Sequence, residues 1–232
     1  MELTPGKIFL ADQRGLAETD SLRRYSTFSF EKFVGEQNQP IERLFICNDE
    51  SIAAGKMIFF LSSQDSYQIF FPVAGSLDIV QSGKEFTVDN GQIQILNVGK
   101  GEVLEISNPS AKETINYIQI GLTTDLFLLK PSEMLFRFDF GQEKNKLIEI
   151  VNHTKLPFKF SAGIFSERQK VVYQLQKTSN NLFCFVIDGK FEIQGRLMHS
   201  RDGLALCDQK QVEITGVSDN AILFAIEQNP LF

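Results

Sequence analysis

The feature of this sequence that most constrains its fold is the close spacing of short strand-like segments. Segments such as Leu77-Asp78-Ile79 and Val212-Glu213-Ile214-Thr215 alternate apolar with polar residues, as strands buried on one face do. Turn-forming pairs such as Asp188-Gly189 and Asp202-Gly203 separate these segments. No long segment repeats its apolar residues with the 3.6-residue period of a helix. The pattern therefore predicts an all-β protein built as a sandwich or barrel, with helix as a minor component.

Three segments carry more specific expectations. Ala17–Arg24 is the one place where a short helix is predicted. The continuous apolar runs Lys56–Leu61 and Ala221–Ile226 are predicted to be strands covered on both faces. The chain has 22 Phe and no Trp, so its cores are expected to be filled by phenyl rings, which need no hydrogen-bond partner.

A weak internal repeat predicts two similar halves. Residues Phe70–Ile79 align with Cys184–Ile193, which lie 114 positions later (184 minus 70). Each block is an apolar strand, a turn glycine and an alternating strand, and Gly91 and Gly203 follow the two blocks. We therefore expect a duplicated β unit, with one barrel in residues 1–125, a linker or interface segment in 126–144, and a second barrel in 145–232.

Charge and cysteine content exclude several classes of partner. The net charge of −6 argues against a surface for nucleic acid or anionic membranes, and Arg23-Arg24 is expected to lie on a solvated face. No apolar run approaches the roughly 20 residues that span a bilayer, and no secretion signal is recognisable. Three cysteines without a CxxC pair argue against a disulfide framework, so the expected compartment is the reducing cytoplasm.

Several segments resemble the pirin family of two-barrel cupin proteins (bicupins). Arg24–Phe33, which contains Thr-Phe-Ser-Phe, resembles the amino-terminal signature of that family, and Leu44–Glu50 resembles the segment that follows it. Ala53-Ala54-Gly55 and Ala74-Gly75 resemble the family's Ala-Pro-Gly and Glu-Gly. The resemblance is good over residues 12–120. It is thinner in the carboxy-terminal half, where 202–206 and 221–226 look like a second cupin.

The resemblance implies a metal site that this chain does not reproduce. Pirins bind a metal, usually iron, through three histidines and a glutamate in the first barrel. Alignment on the family's glycines puts Leu61, Ser63, Leu104 and Ile106 at those four positions. Alkyl groups and one hydroxyl are not ligands for a divalent ion. We therefore expect no metal and no other cofactor, with these four side chains converging inside the first barrel as a dry, apolar cavity.

The remaining residue types offer little further chemistry. A candidate pocket mouth beside the lost metal site consists of Gln64, Asp65, Tyr67 and Glu102, and a surface hairpin is the alternative for its first three members. The shorter spacing of other cupins would make Glu102 a ligand, but one carboxylate alone makes a poor site.

Histidine and cysteine chemistry is equally restricted. His153 and His199 are the only histidines, and they are expected on loops or in ordinary hydrogen bonds. Cys47 and Cys184 are predicted core residues, and Cys207 is a candidate surface thiol. The expected catalytic residues are therefore none.

Two main hypotheses of function remain at this point. The first is a metal-free, pirin-like bicupin that binds a small apolar ligand or a protein partner without catalysis, which by analogy with nuclear pirins includes docking to a regulator. The alternative is an oxidoreductase of the quercetin 2,3-dioxygenase type with a relocated metal site.

Overall fold

The structure, a computed structural model, describes residues 5–31, 33–124 and 133–229. The chain divides into two compact units. The N-terminal unit is Arg14–Arg137, and the C-terminal unit consists, within the described residues, of 5–13 and 138–229. Regular structure in these residues is β-strand apart from two single-turn 3-10 helices, Ala11–Gln13 and Glu36–Asn38. The predicted all-β fold with minor helix is confirmed.

The strands up to the end of the N-terminal unit alternate with short turns. In chain order they are β1 (Gly6–Phe9), β2 (Gly15–Glu18), β3 (Leu22–Ser26), β4 (Leu44–Ile52), β5 (Met57–Leu61), β6 (Ser66–Ala74), β7 (Leu77–Gln81), β8 (Lys84–Val88), β9 (Gln92–Val98), β10 (Val103–Ser107), β11 (Ile115–Thr123) and β12 (Glu133–Arg137).

The C-terminal unit likewise consists mainly of short strands joined by short connections. They are β13 (Ile148–Val151), β14 (Phe158–Phe165), β15 (Lys170–Gln174), β16 (Asn181–Asp188), β17 (Lys190–Ile193), β18 (Arg196–His199), β19 (Gly203–Leu206), β20 (Gln211–Gly216) and β21 (Ala221–Gln228).

The strand order of the sheets confirms the predicted duplication. The N-terminal unit has a seven-stranded sheet, β12-β9-β6-β11-β4-β3-β2, and a four-stranded sheet, β5-β10-β7-β8. The C-terminal unit has a six-stranded sheet, β1-β19-β16-β21-β14-β13, and a four-stranded sheet, β15-β20-β17-β18. Strands β4–β11 therefore recur as β14–β21 in the same order. Each unit is a barrel-like pair of antiparallel sheets around its own apolar core.

The repeated glycines are equivalent only at the first position. Gly75 (φ +79°) and Gly189 (φ +77°) both adopt the left-handed conformation that favours glycine, at the turn before β7 and before β17. Gly91 also has a positive φ, of +80°, whereas Gly203 lies within β19. At Gly203 a Cβ atom would come within 2.9 Å of the Phe183 ring, so close packing requires that glycine.

Both predicted domain boundaries differ from the observed units. β1 pairs with β19, from Gly6 opposite Leu206 to Phe9 opposite Gly203, and this assigns residues 5–13 to the C-terminal unit. β12 pairs with β9 and extends the N-terminal unit into the segment predicted as a linker. The first part of that segment, up to residue 132, lies outside the described residues.

The predicted helix at Ala17–Arg24 is wrong. This segment forms most of the hairpin of β2 and β3, in which Ala17 lies opposite Arg24. Thr19 closes the turn, because its Oγ1 accepts a hydrogen bond from the Leu22 N–H (3.1 Å) and its own N–H donates to the Leu22 carbonyl (2.8 Å). Thr-Asp-Ser is turn chemistry that competes with a helix.

One predicted double-sided strand is also wrong. β21 is buried along almost its whole length, as expected for Ala221–Ile226. β5 instead alternates, with Ile58 and Phe60 buried and Met57, Phe59 and Leu61 exposed. The outer face of this edge strand therefore carries an apolar stripe, which we call the β5 stripe (Met57, Phe59 and Leu61).

Candidate functional site

The four positions aligned with the pirin metal ligands do not converge. Leu104 and Ile106 on β10 are fully buried in the core of the N-terminal unit. Leu61 is 64 % exposed and Ser63 is also exposed. Leu61 lies opposite Val103, and both side chains point away from the core because strand residues alternate between faces. The prediction of a four-residue cavity is therefore wrong for Leu61 and Ser63.

The inward side chains at the end of β5 are Phe60 and Ser62. Phe60 lies opposite Leu104 and is 3 % exposed, and Ser62 is 1 % exposed. Sequence reasoning missed this pair because every residue of the run from Met57 to Leu61 is apolar. The pattern therefore does not show which alternate residues of the strand face the core. The neighbouring strand β10 carries the signal that could have found them. In Leu104-Glu105-Ile106 apolar and polar residues alternate, so Leu104 and its partner Phe60 are expected to face the core.

The lumen of the N-terminal unit does not fit a divalent metal. Phe60, Leu104 and Ile106 offer only carbon atoms, and they pack in one cluster with residues such as Ile79 and Val98. Within the described ranges, no group of three or more His, Cys, Asp or Glu residues is placed to hold a metal ion. Iron, nickel or zinc needs nitrogen, oxygen or thiolate donors converging on one point.

Both histidines lie in the C-terminal unit and have ordinary surroundings. His153 is exposed in a turn, and its Nδ1 accepts a hydrogen bond from the Lys155 N–H (3.3 Å). His199 ends β18, and its Nδ1 lies 3.8 Å from the Asp202 carboxylate. The expected loop position and ordinary hydrogen bond are found at His153, whereas His199 lies on a strand and its Nδ1 is too far from that carboxylate for a hydrogen bond.

A row of uncharged polar side chains lines one part of the same lumen. Gln119 donates from Nε2 to Gln68 Oε1 (3.0 Å), and Gln68 donates from Nε2 to Ser66 Oγ (2.8 Å). Ser66 Oγ lies 3.4 Å from Ser62 Oγ, and Ser62 donates to the Gln64 carbonyl (2.7 Å). Gln68, Gln119 and Ser66 are fully buried. The row supplies amides and hydroxyls, which bind polar organic groups better than metal ions.

A buried charged group continues the polar row on β4. Glu50, which is 0 % exposed, accepts hydrogen bonds from Arg24 Nε (2.6 Å), Tyr117 OH (2.5 Å) and Asn48 Nδ2 (3.4 Å). Arg24 also donates to Glu31 (3.0 Å) and stacks over Phe30, with 4.8 Å from guanidinium carbon to ring centroid.

The pKa shifts in this group follow from burial and charge. Burial first, and then the Glu50 charge and hydrogen bond, raise the pKa of Tyr117 well above its ordinary value. Burial alone would lower the pKa of Arg24, but Glu50 and Glu31 outweigh it and the pKa is raised. Both groups therefore keep their protons.

The expected solvated face at Arg23-Arg24 is thus only half correct. Arg23 is exposed and pairs with Glu18, whereas Arg24 is 4 % exposed. Consecutive strand residues point to opposite faces, so a charged pair in a strand can place one member in the core. If β3 had been recognised as a strand, Arg24 could have been predicted to point into the core.

The candidate pocket-mouth residues do not form one mouth. Glu102 is half-buried and closes a turn, accepting hydrogen bonds from the Gly99 N–H (2.9 Å), Gln81 Nε2 (3.1 Å) and Ser82 Oγ (2.9 Å). Glu102 is therefore structural rather than simply solvated.

The other three members of that candidate mouth have separate partners. Asp65 accepts from the Lys100 N–H (2.7 Å), and Gln64 donates to Thr123 Oγ1 (2.8 Å). Tyr67 is buried, and on β6 it alternates with Ser66 and Gln68 of the polar row. Asp65 and Gln64 therefore hold neighbouring segments together, and Tyr67 belongs to the sheet.

An open cavity of about 560 Å³ lies beside the edge strand β2. Leu16, Phe30 and Phe33 form apolar walls, and Arg24 and Glu31 supply charge. The Thr-Phe-Ser-Phe block contributes here, because Phe28 is buried while Phe30 lines the cavity. This volume falls within the range of small-molecule sites.

The cysteines match their predicted locations. Cys47 and Cys184 are buried, Cys207 is exposed, and none forms a disulfide. Burial raises the pKa of Cys184 to about 12, which leaves it as an inert thiol.

Comparisons with known proteins cover almost the whole chain. A family model for the quercetinase C-terminal cupin domain matches residues 155–225. Quercetin 2,3-dioxygenase of Escherichia coli (strain K12) is 24 % identical over 221 residues, which is 92 % of this chain and 94 % of that protein. The putative quercetin 2,3-dioxygenase PA1210 of Pseudomonas aeruginosa is 23 % identical over 222 residues, covering 91 % of this chain and 95 % of that one.

Solved structures show the same fold. The crystal structure of YhhW from Escherichia coli superposes with a TM-score of 0.84 at 22 % identity, covering 98 % of this chain and 99 % of that one. Bacterial pirin YhhW in complex with nickel(II), also from Escherichia coli, gives 0.81 at 20 % identity, covering 98 % and 100 %. The chain therefore has the two-barrel fold of these pirin-like proteins, and it resembles quercetin 2,3-dioxygenases along most of its length.

Proposed function

We propose that this chain is a binding protein that works without a metal and does not oxygenate flavonols. The observation that carries the proposal is the inward face of the N-terminal unit, where Phe60, Leu104 and Ile106 are packed into the core. Dioxygen attack on a flavonol needs a redox metal that binds and orients the substrate. These positions offer only carbon atoms, and the buried carboxylate on β4, Glu50, is already bound by Arg24, Tyr117 and Asn48, so they provide no ligand set for that metal.

The cavity beside β2 is the best-supported place for a ligand. Its apolar walls, Leu16, Phe30 and Phe33, fit a small apolar molecule, and the cation of Arg24 already stacks on Phe30. A protein partner would find its apolar contact on the β5 stripe, where Phe59 is 65 % exposed.

The cytoplasm is part of the same proposal. All three cysteines are free thiols, which suits a reducing compartment. No helix in the described part of the chain has the length and apolarity to cross a membrane.

Metal analysis of protein purified without a histidine tag tests the proposal directly. We expect far less than one equivalent of iron, nickel, copper, manganese or zinc. Quercetin consumption should equal that of a buffer blank after incubation with each metal. Stoichiometric metal would contradict the proposal. Turnover that chelation removes and metal restores would instead establish a dioxygenase with a relocated metal site.

Two sets of restoring substitutions make the test sharper. The inward set is Phe60→His, Ser62→His, Leu104→His and Ile106→Glu, and the matched outward set replaces the first two changes with Leu61→His and Ser63→His. Only the inward set places all four donors on one face, so only it should gain metal affinity. Equal affinity in the two sets would show that the lumen assignment is wrong.

A further inference from the structure

The C-terminal unit contains a small polar pocket that is separate from the lumen described above. Its volume is about 230 Å³, and its walls come from the turn before β14, from the segment before β16 and from the end of β21. The residues that matter are Glu227 and Asn180, each 2 % exposed, with His153, Lys159 and Gln176 around them.

Glu227 is a buried carboxylate held by neutral donors alone. Its Oε1 accepts from the Gln176 N–H (2.7 Å) and Asn180 Nδ2 (2.6 Å), and its Oε2 accepts from Tyr173 OH (3.0 Å). Within the described residues, no Lys, Arg or His forms an ion pair with it. A carboxylate accepts about four hydrogen bonds, so Oε2 keeps one acceptor direction. Burying a charge without an opposite charge is unfavourable.

Asn180 adds a second acceptor to the same pocket. Its Nδ2 is committed to Glu227, which fixes the orientation of the amide, and its Oδ1 has no hydrogen-bond partner among the residues that the structure describes. Buried acceptors of this kind are uncommon, since burial removes the water that would otherwise bind them. The two side chains are joined by one hydrogen bond and line the same pocket.

The other charges leave the pocket electronegative. Lys159 lies on one wall, but its Nζ is 2.7 Å from Glu149 Oε2 and is thereby neutralised. Glu227, Glu149 and Lys159 sum to one negative charge. This charge attracts a cation into the pocket and repels an anion.

We propose that this pocket binds a small primary ammonium compound, with Glu227 as counter-ion and Asn180 Oδ1 as second acceptor. An –NH₃⁺ group carries the charge and three N–H donors on one atom, which suits two acceptors in a small space. A divalent metal is a poorer fit, because only one carboxylate converges here. The proposal is independent of whether the N-terminal lumen binds metal.

Calorimetric titration with n-propylammonium chloride tests the proposal at constant ionic strength in sodium chloride. We expect saturable 1:1 binding. Matched probes are n-propanol, which lacks the charge, and tetramethylammonium chloride, which lacks N–H donors, and neither should bind. Absence of saturable n-propylammonium binding, or equal binding of tetramethylammonium, would overturn the proposal.

Two further measurements assign the site. Glu227→Gln keeps the shape but removes the charge, and should weaken binding at least about tenfold, whereas the exposed Glu213→Gln should bind as wild type does. In the wild-type protein, n-propylammonium should shift the NMR signals of the Gln176 backbone amide and the Asn180 side-chain amide. Unchanged signals there, with shifts elsewhere, would refute the site even if Glu227→Gln fails to fold.

Discussion

Each of the two units buries a glutamate carboxylate, but the hydrogen-bond partners of the two carboxylates differ in charge. In the N-terminal unit, Glu50 is bound by Tyr117, Asn48 and the guanidinium of Arg24. In the C-terminal unit, Glu227 is bound by a tyrosine, an asparagine and a backbone N–H, but by no cation among the described residues.

The asparagines are alike as well. Asn48 and Asn180 each leave Oδ1 without a hydrogen-bond partner in the described part of the chain. The difference therefore lies in the counter-ion. The N-terminal unit supplies its own from β3, and we infer that the C-terminal unit takes one from solution.

The largest test of this comparison is removal of the internal cation. Arg24→Met leaves Glu50 buried and unpaired, and should lower the free energy of unfolding by about 3–5 kcal/mol in urea titrations. The matched Arg23→Met removes an exposed cation and should change it by less than about 0.5 kcal/mol. Equal effects would mean that the Arg24–Glu50 pair has no special role.

Truncation of the lumen should have the next largest effect. Leu104→Ala creates a cavity in the core of the N-terminal unit and should cost about 2–5 kcal/mol by the same urea measurement. Leu61→Ala is the control, because Leu61 is already 64 % exposed, and it should cost well under about 1 kcal/mol. A large loss at Leu61 would contradict the assignment of the β5 stripe to the surface.

The paired tyrosines sharpen the comparison between the carboxylates. Tyr117→Phe removes a hydrogen bond to a fully buried charge and should cost about 1.5–3 kcal/mol. Tyr173→Phe should cost less, since Tyr173 is only half-buried and its bond to Glu227 is longer, at 3.0 Å. Thermal or urea unfolding of the two variants distinguishes them, and the reverse order would contradict this ranking.

The smallest expected effect concerns Cys184, which occupies the repeat position of Phe70. Its pKa is raised from 9.0 to about 12 by burial, so the folded state keeps a proton that the unfolded chain loses. Stability is therefore complete below about pH 9 and falls as the pH rises towards 12, by at most about 1.4 kcal/mol per pH unit. Urea unfolding at about pH 8.5 and 10 should show this fall in wild type and in Cys207→Ser. It should be weaker in Cys184→Val.

Much of the fold was predictable because turn residues and alternation are local signals. The strand–glycine–strand block around Gly75 and Gly189 recurs with the same backbone conformation and strand order. The segments that resemble pirins in sequence lie mainly in residues 12–120, whereas the matching family model covers residues 155–225.

Two features could not be predicted from the sequence: which face of an all-apolar strand points inward, and which residues pair when they lie far apart in the chain. The run from Met57 to Leu61 contains no polar residue to show which side faces inward, so Leu61 was placed in the lumen instead of Phe60. Arg24 was placed in solvent because its partner, Glu50, is 26 positions away and becomes visible only once β3 and β4 are paired. The sequence gives one local indication of Glu227: it is a charged residue directly after the apolar run Ala221–Ile226.

The pairing of β1 with β19 has a consequence for how the chain is made. Gly6 lies opposite Leu206, 200 positions later (206 minus 6), so β1 leaves the ribosome long before its partner strand β19 is synthesised. The N-terminal unit can fold during that time, because its four- and seven-stranded sheets use only residues from 15 to 137. The C-terminal sheet keeps an open edge at β19 until the early segment docks, and such edges recruit other strands. A fusion partner or a deletion before β2 should therefore affect folding of the C-terminal unit, because it delays or removes the pairing of β1 with β19.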